Sequence, residues 1–203
     1  VFQGLCSIHH SHVRDGLKVA RLWMHECERV YADRLISNTE IQRCIEIIVD
    51  VAKRVIDDDQ ESLFKQPNAW TTFATQTMDD SRAYLPIKSM ASLKKVLHDQ
   101  LNEYNEANAI MNLVLFDMAM LHVVRIARII GFPQGNALLV GVGGSGKQSL
   151  ARLASFICGN TVTQVAVTST FGVSELKEEL KELYRKAGVK PARDVAVVSG
   201  RIP

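Results

Sequence analysis

The stretch Asn136-Ala-Leu-Leu-Val140, followed by Gly141-Val-Gly-Gly-Ser-Gly146-Lys147-Gln148-Ser149, decides the fold. The first five residues form a short, continuous apolar run, the pattern of a strand covered on both faces, so Leu138, Leu139 and Val140 read as core. A glycine-rich loop comes next, and a helix is expected from about Lys147 to Cys158. Glycines adopt backbone angles closed to other residues and let several N–H groups converge on phosphate oxygens. The start of the following helix directs its partial positive charge at the same place, and Lys147 adds a full one. The complete spacing, with a strand before it and a helix after it, is a specific signature of a nucleoside triphosphate site. ATP or ADP is the expected ligand, held by Gly141, Val142, Gly143, Gly144, Ser145, Gly146, Lys147, Gln148 and Ser149.

One position departs from the general motif. A Ser or Thr normally follows the lysine and holds magnesium through its hydroxyl; here Gln148 stands there, with Ser149 next. An amide oxygen also meets a hard cation, directly or through water, so Gln148 and Ser149 are the candidate Mg2+ residues. Hydrolysis further requires acidic residues at the end of a later strand. The apolar run Val195–Val198 reaches that point, but Ser199-Gly-Arg-Ile-Pro203 supplies no Asp or Glu. The chain is therefore expected to bind nucleotide and, by itself, to turn over little or none, and no catalytic residue is assigned.

Downstream of the loop, strands are expected at Val162–Val167 and Asp194–Val198. Between them a helix capped by Ser174 runs to Ala187, with Leu176, Leu180 and Leu183 inward and Gly188 as its stop. The order strand-loop-helix-strand-helix-strand implies a parallel sheet with covering helices. Upstream lie two helices. In one, Leu93, Val96, Leu97, Leu101 and Tyr104 share a face; in the other, Ile110, Val114, Met118, Leu121, Val124 and Ile129 do. Gly131-Phe-Pro133 ends the second. Phe132 and Pro133 are candidates to pack on the base of the nucleotide.

Residues 1–56 read as entirely helical. Val13, Leu17, Ala20, Met24, Cys27 and Tyr31 form one apolar stripe. Ser37-Asn-Thr-Glu40 is a capping box opening a helix with Ile41, Cys44, Ile48, Val51 and Val55 on one face. Residues 66–88, with Pro67 and Pro86, carry little regular signal, and a boundary is placed between residues 83 and 84. His9, His10 and His12 read as solvated loop rather than a metal site, since no Cys or carboxylate set completes them.

Composition narrows the partners. Lys and Arg number 24 against 22 Asp and Glu, so no strong field points to nucleic acid or an anionic membrane. The four cysteines, Cys6, Cys27, Cys44 and Cys158, make no CxxC pair and read as reduced, apolar residues. The start, lacking Met and running straight into helix-like sequence, reads as that of a fragment of a longer chain.

Together these features resemble a dynein heavy chain of the axonemal branch, from residue 1 to about Lys190. Gly135-Asn-Ala-Leu-Leu-Val-Gly-Val-Gly-Gly-Ser-Gly-Lys-Gln-Ser-Leu150 is similar to the phosphate loop of the fourth AAA+ module, Gln148 included. His122-Val-Val-Arg-Ile-Ala-Arg-Ile-Ile-Gly131 is similar to the segment before it. Arg21-Leu-Trp-Met-His-Glu26, Arg29 and Asp33-Arg-Leu35 resemble the helical lid of the third module. From Pro191 onward the resemblance fades.

The fold class implied is α/β: residues 1–83 a helical AAA+ lid, residues 84–203 the nucleotide-binding part of the next module, a partial P-loop NTPase with flanking helices. The resemblance also implies a ring of AAA+ modules in one heavy chain, an ATP-driven motor on microtubules, and a place in the ciliary axoneme. Microtubules and the intermediate and light chains would be met through parts absent here. Two other readings stay open: a non-catalytic nucleotide-binding regulator or scaffold, and a P-loop ATPase of another family.

Overall fold

The computed structural model describes residues 1–8, 10–55, 60–74, 83–166, 171–189 and 194–199. The chain divides into two compact units, Val1–Val96 and Leu97–Pro203.

The first unit is built on α2 (Gly16–Val30), preceded by a short α1 (Phe2–Leu5) and followed by α3 (Asn38–Val55) and α4 (Gln60–Phe64). Asp15 caps α2: its backbone is extended and its carboxylate accepts the Lys18 amide at 3.1 Å. That amide holds the Asp15 carboxyl below its ordinary pKa. Ala20, Met24 and Cys27 of α2 bury against Ile48 and Ala52 of α3 and Leu63 of α4. The contact follows three- and four-residue steps on α2 and a four-residue step on α3, so side chains stack on one stripe. The stripe is narrower and rotated relative to the sequence reading: Val13 and Tyr31 are exposed, as are Val51 and Val55. Ala52, small enough for close approach, takes the contact instead. At the start of α3 the Ser37 hydroxyl meets the Thr39 hydroxyl at 2.6 Å. Residues 1–56 are not uniformly helical, since His10–His12 and Ala32–Arg34 are single 3-10 turns; His9 lies outside the described residues.

The poorly patterned segment after α4 is held by polar side chains of α2. The Arg21 guanidinium donates to the carbonyl oxygens of Ser62 (2.6 Å), Leu63 (3.2 Å) and Lys65 (2.8 Å). The first two are carbonyls of the end of α4, which have no partner within the helix, and the third belongs to the residue just after it. Desolvation lowers the Arg21 pKa from its ordinary value. Asn68 donates to the Arg21 carbonyl at 2.9 Å, and its own carbonyl oxygen lies 3.1 Å from His25 Nδ1. Two short strands follow, β1 (Trp70–Thr71) and β2 (Leu85–Pro86), paired antiparallel. Trp70 and Tyr84 bury against Leu22. The Tyr84 hydroxyl donates to Glu26 Oε1 at 2.9 Å, and Glu26 is fully buried. His25 and Glu26 are thus interior ties of this unit, while Arg29 pairs with Asp33 at 3.2 Å.

α5 (Met90–Ala107) buries Leu93, Leu97 and Leu101 on one face, as its sequence predicts. It ends where the Asn105 side chain accepts from the Met111 amide (2.7 Å) and donates to the Met111 carbonyl (3.3 Å). That side-chain clamp holds residues 109–116 out of helix, so α6 spans only Asp117–Gly131. Its buried face is Ala119, Met120, Val123, Val124, Ile126 and Ala127. Ile110, Val114 and Met118 are exposed rather than part of the expected stripe.

α6 packs on α7 (Lys147–Ile157), which buries Leu150, Ala151, Leu153 and Ala154. Fully burying a leucine such as Leu153 stabilises by roughly 1.5–3 kcal/mol. The Tyr104 and Phe156 rings meet edge to face at 5.3 Å. β3 (Thr161–Ala166) and β4 (Asp194–Ser199) pair in parallel, Thr161 opposite Asp194 through Ala166 opposite Ser199. The crossover between them carries α8 (Val173–Val189). α8 starts one residue before Ser174 and runs through Gly188, and Glu175 rather than Ser174 ties its start, accepting from the Gly172 amide at 2.8 Å. Leu180 is exposed, contrary to its expected inward position.

One expected strand is not formed. Residues 136–140 carry no regular structure, and Leu138 and Val140 are 89% and 74% exposed, so they are not core. A continuous apolar run becomes a buried strand only beside ladder partners; here β3 and β4 take each other.

Candidate functional site

The loop between residues 136–140 and α7 has the backbone that its glycines permit. Gly144 (φ 76°) and Gly146 (φ 78°) both lie in the left-handed region, and Gly146 caps α7. For a residue with a Cβ this conformation costs about 1–2 kcal/mol. The turn tightens further through Ser145 N–H to the Val142 carbonyl at 3.4 Å. The start of α7 therefore opens directly from the loop, with its first N–H groups free of intrahelical acceptors.

Lys147, the first residue of α7, folds back over the loop. Its ammonium donates to the carbonyl oxygens of Gly141 and Val142, both at 2.7 Å, and to Ser145 Oγ at 3.0 Å. One cation thus gathers three residues of the motif. Gln148 is exposed and Ser149 half-buried on the first turn of α7. The motif residues 141–149 are therefore contiguous and shaped as one loop with a helix start.

Phe132 and Pro133 sit at the other end of α6, the helix packed on α7. Phe132 caps α6, its amide donating to the Ile129 carbonyl at 3.3 Å, and its own carbonyl accepts the Gly135 amide at 3.2 Å. Gly135 is required by close approach: a Cβ there would lie 1.7 Å from the Ile129 carbonyl oxygen. The Arg128 guanidinium lies over the Phe132 ring, 5.3 Å from its centroid. No helical spacing signals this stacking, because Phe132 is the extended residue that caps α6. Among the described residues no group of three or more His, Cys, Asp or Glu is arranged to hold a metal ion.

Comparison with known families fits this geometry. Residues 1–66 match the AAA+ lid domain family, and residues 111–201 match the family described as P-loop containing dynein motor region D4. The fold class is accordingly α/β, an AAA+ lid followed by a P-loop region. The second match runs past Lys190, where the sequence reading had placed the end of the resemblance.

Among curated proteins, the chain is 50% identical over 94% of its length to a dynein beta chain of the flagellar outer arm from Chlamydomonas reinhardtii. It is 47% identical over 94% of its length to a ciliary dynein beta chain from Heliocidaris crassispina. It is 44% identical over 98% to Dynein axonemal heavy chain 17 from Homo sapiens. The chain belongs to the axonemal dynein heavy-chain family. It spans about 4% of the length of these relatives.

Proposed function

We propose that this chain is a nucleotide-binding piece of an axonemal dynein heavy chain, taking ATP or ADP at residues 141–149. The observation that carries this is Lys147 gathered onto a glycine loop at the open start of α7. On binding, the ammonium exchanges the Gly141 and Val142 carbonyls for phosphate oxygens. Gly143, Gly144, Ser145 and Gly146 donate N–H groups to the phosphates, and the α7 dipole favours the same charge.

Magnesium fits the donors present. Gln148 and Ser149 offer two hard, neutral oxygens on the first turn of α7, and Mg2+ is commonly held by few protein ligands, phosphate oxygens and water. Bound there, it would neutralise phosphate charge. Phe132, with Pro133, contacts the base. Ser199–Pro203 bring no carboxylate to the end of β4, so turnover by this chain alone is low.

Residues 1–83 serve as the lid of one AAA+ module and residues 84–203 as the start of the next. In the whole heavy chain this pair joins other modules of a motor that moves on microtubules within the ciliary axoneme. The names of the relatives, flagellar, ciliary and axonemal, support that placement.

Calorimetric titration of the chain with ATP and ADP, with and without Mg2+, tests the site. Lys147→Ala removes a charge-assisted contact of about 1.5–3 kcal/mol, or about ten- to a hundredfold in affinity. Equal affinity in wild type and variant refutes the role given to Lys147. Binding without hydrolysis fits the regulatory reading of the site; turnover stimulated by DNA or RNA would instead favour another P-loop family.

A further inference from the structure

Resting on the base-contact role given to Phe132, we infer that Arg128 is a positioning residue that sets this ring as a stacking shelf for the nucleotide base. Arg128 lies in the last turn of α6, and Phe132 follows it as the extended residue that caps the helix, so the chain turns the ring back toward the guanidinium. The guanidinium carbon is 5.3 Å from the ring centroid, inside the range of a cation–π contact. Both residues are half-buried. One face of the ring is therefore taken by the cation, and the inference assigns the opposite face to the base.

Three features fix this end of the helix. The Phe132 amide is spent on Ile129, and its carbonyl holds Gly135. Gly135 itself admits no side chain, because a Cβ would strike the Ile129 carbonyl. Its backbone is thus pinned on both sides, and the remaining freedom of Phe132 lies in its side-chain torsions. The planar guanidinium stacked on the ring removes that freedom as well. An aromatic ring held before the ligand arrives loses little rotamer entropy on binding, so the gain from stacking a base is retained. Lysine, a compact and strongly hydrated charge on a flexible stem, would hold the ring less well.

The test separates base from phosphate. ATP and inorganic tripolyphosphate are titrated into the full chain and into Phe132→Ala, Arg128→Ala, Arg128→Lys and the double alanine variant. Phe132→Ala is expected to weaken ATP about tenfold and leave tripolyphosphate unchanged, and Arg128→Ala to weaken ATP about fivefold with tripolyphosphate again unchanged. Arg128→Lys falls between wild type and alanine. In the double variant the Arg128 change adds nothing to the loss from Phe132→Ala. Unchanged tripolyphosphate binding also certifies that each variant is folded.

If Phe132→Ala weakens ATP while Arg128→Ala does not, the inference about Arg128 fails and the nucleotide site stands. Equal weakening of ATP and tripolyphosphate by Arg128→Ala would mean that it acts on phosphate charge, which also overturns the inference. Indifference of ATP to Phe132→Ala removes the shelf altogether.

Discussion

Removing the Tyr84 hydroxyl should loosen the first unit without leaving a hole in it. Tyr84→Phe keeps the ring against Trp70 and Leu22 and deletes only the donor to Glu26, 2.9 Å away. Glu26 is fully buried and Tyr84 nearly so, so water does not replace the lost bond. Losing a buried side-chain hydrogen bond to a carboxyl group costs about 1–3 kcal/mol. With a urea dependence of about 2 kcal/mol per molar, the midpoint should fall by about 1 M.

Intrinsic fluorescence is the appropriate assay. Both tryptophans, Trp23 and Trp70, lie in the first unit, and Trp70 is 6.2 Å from the Tyr84 ring. Glu26→Gln, whose amide oxygen still accepts from the hydroxyl, should lose less than Tyr84→Phe. In the double variant the two losses should not add, since both touch one bond. A midpoint within 0.2 M of wild type for Tyr84→Phe, roughly the noise of such measurements, would refute the interior tie.

Gly146→Ala places a Cβ at φ 78° and should cost about 1–2 kcal/mol of stability while weakening nucleotide binding, read by thermal melts with and without ATP. Gly135→Ala should lower the melting temperature of the second unit by several degrees, because the Ile129 carbonyl has to move; hydrogen exchange at the end of α6 would locate the damage. Burial pushes the Cys27 thiol up from 9.0 to about 11, so at pH 8 a thiol reagent should label exposed Cys6 and spare Cys27 until the chain is unfolded. The folded state then binds the Cys27 proton more tightly than the unfolded state, so stability should fall as pH rises from 9 to 11. Asp15→Ala removes the α2 cap, costing about 1 kcal/mol. Because the folded Asp15 pKa is depressed, that contribution is present above its ordinary 3.8 and is lost as pH falls through the lower folded value.

Much of the second unit was legible in the sequence because its signals are local. The spacing of residues 141–147, the helix Lys147–Ile157 and the apolar runs of β3 and β4 each report on residues that sit together in the chain. The α5 face was read correctly for the same reason. Residues 136–140 misled because an apolar run states a demand for cover and says nothing about whether a partner strand meets it. The start of α6 was misplaced because Ile110 and Val114 keep a helical period. The side chain of Asn105, six residues before Met111, decides otherwise through a contact no window of periodicity registers. His25 and Glu26 lie outside the apolar stripe read for their helix, so periodicity gives no sign that they are interior. Their burial depends on Asn68 and Tyr84, more than forty residues away. The base contact is proposed from position alone, and the Arg128 stacking comes from the geometry.

The grip of Arg21 on Ser62, Leu63 and Lys65 has a consequence for how this unit tolerates change. Counting Pro67 at 3.4 Å, four carbonyls are met by donors on two guanidinium nitrogens, a planar fork that an ammonium lacks. The charge of the residue is thus secondary to its width. A change from Arg21 to lysine should therefore weaken the hold on the end of α4, while the Asn68 bond to the backbone carbonyl of residue 21 is kept. The segment between α4 and β1 thus takes its course from Arg21 together with Asn68 and the burial of Leu63 and Trp70.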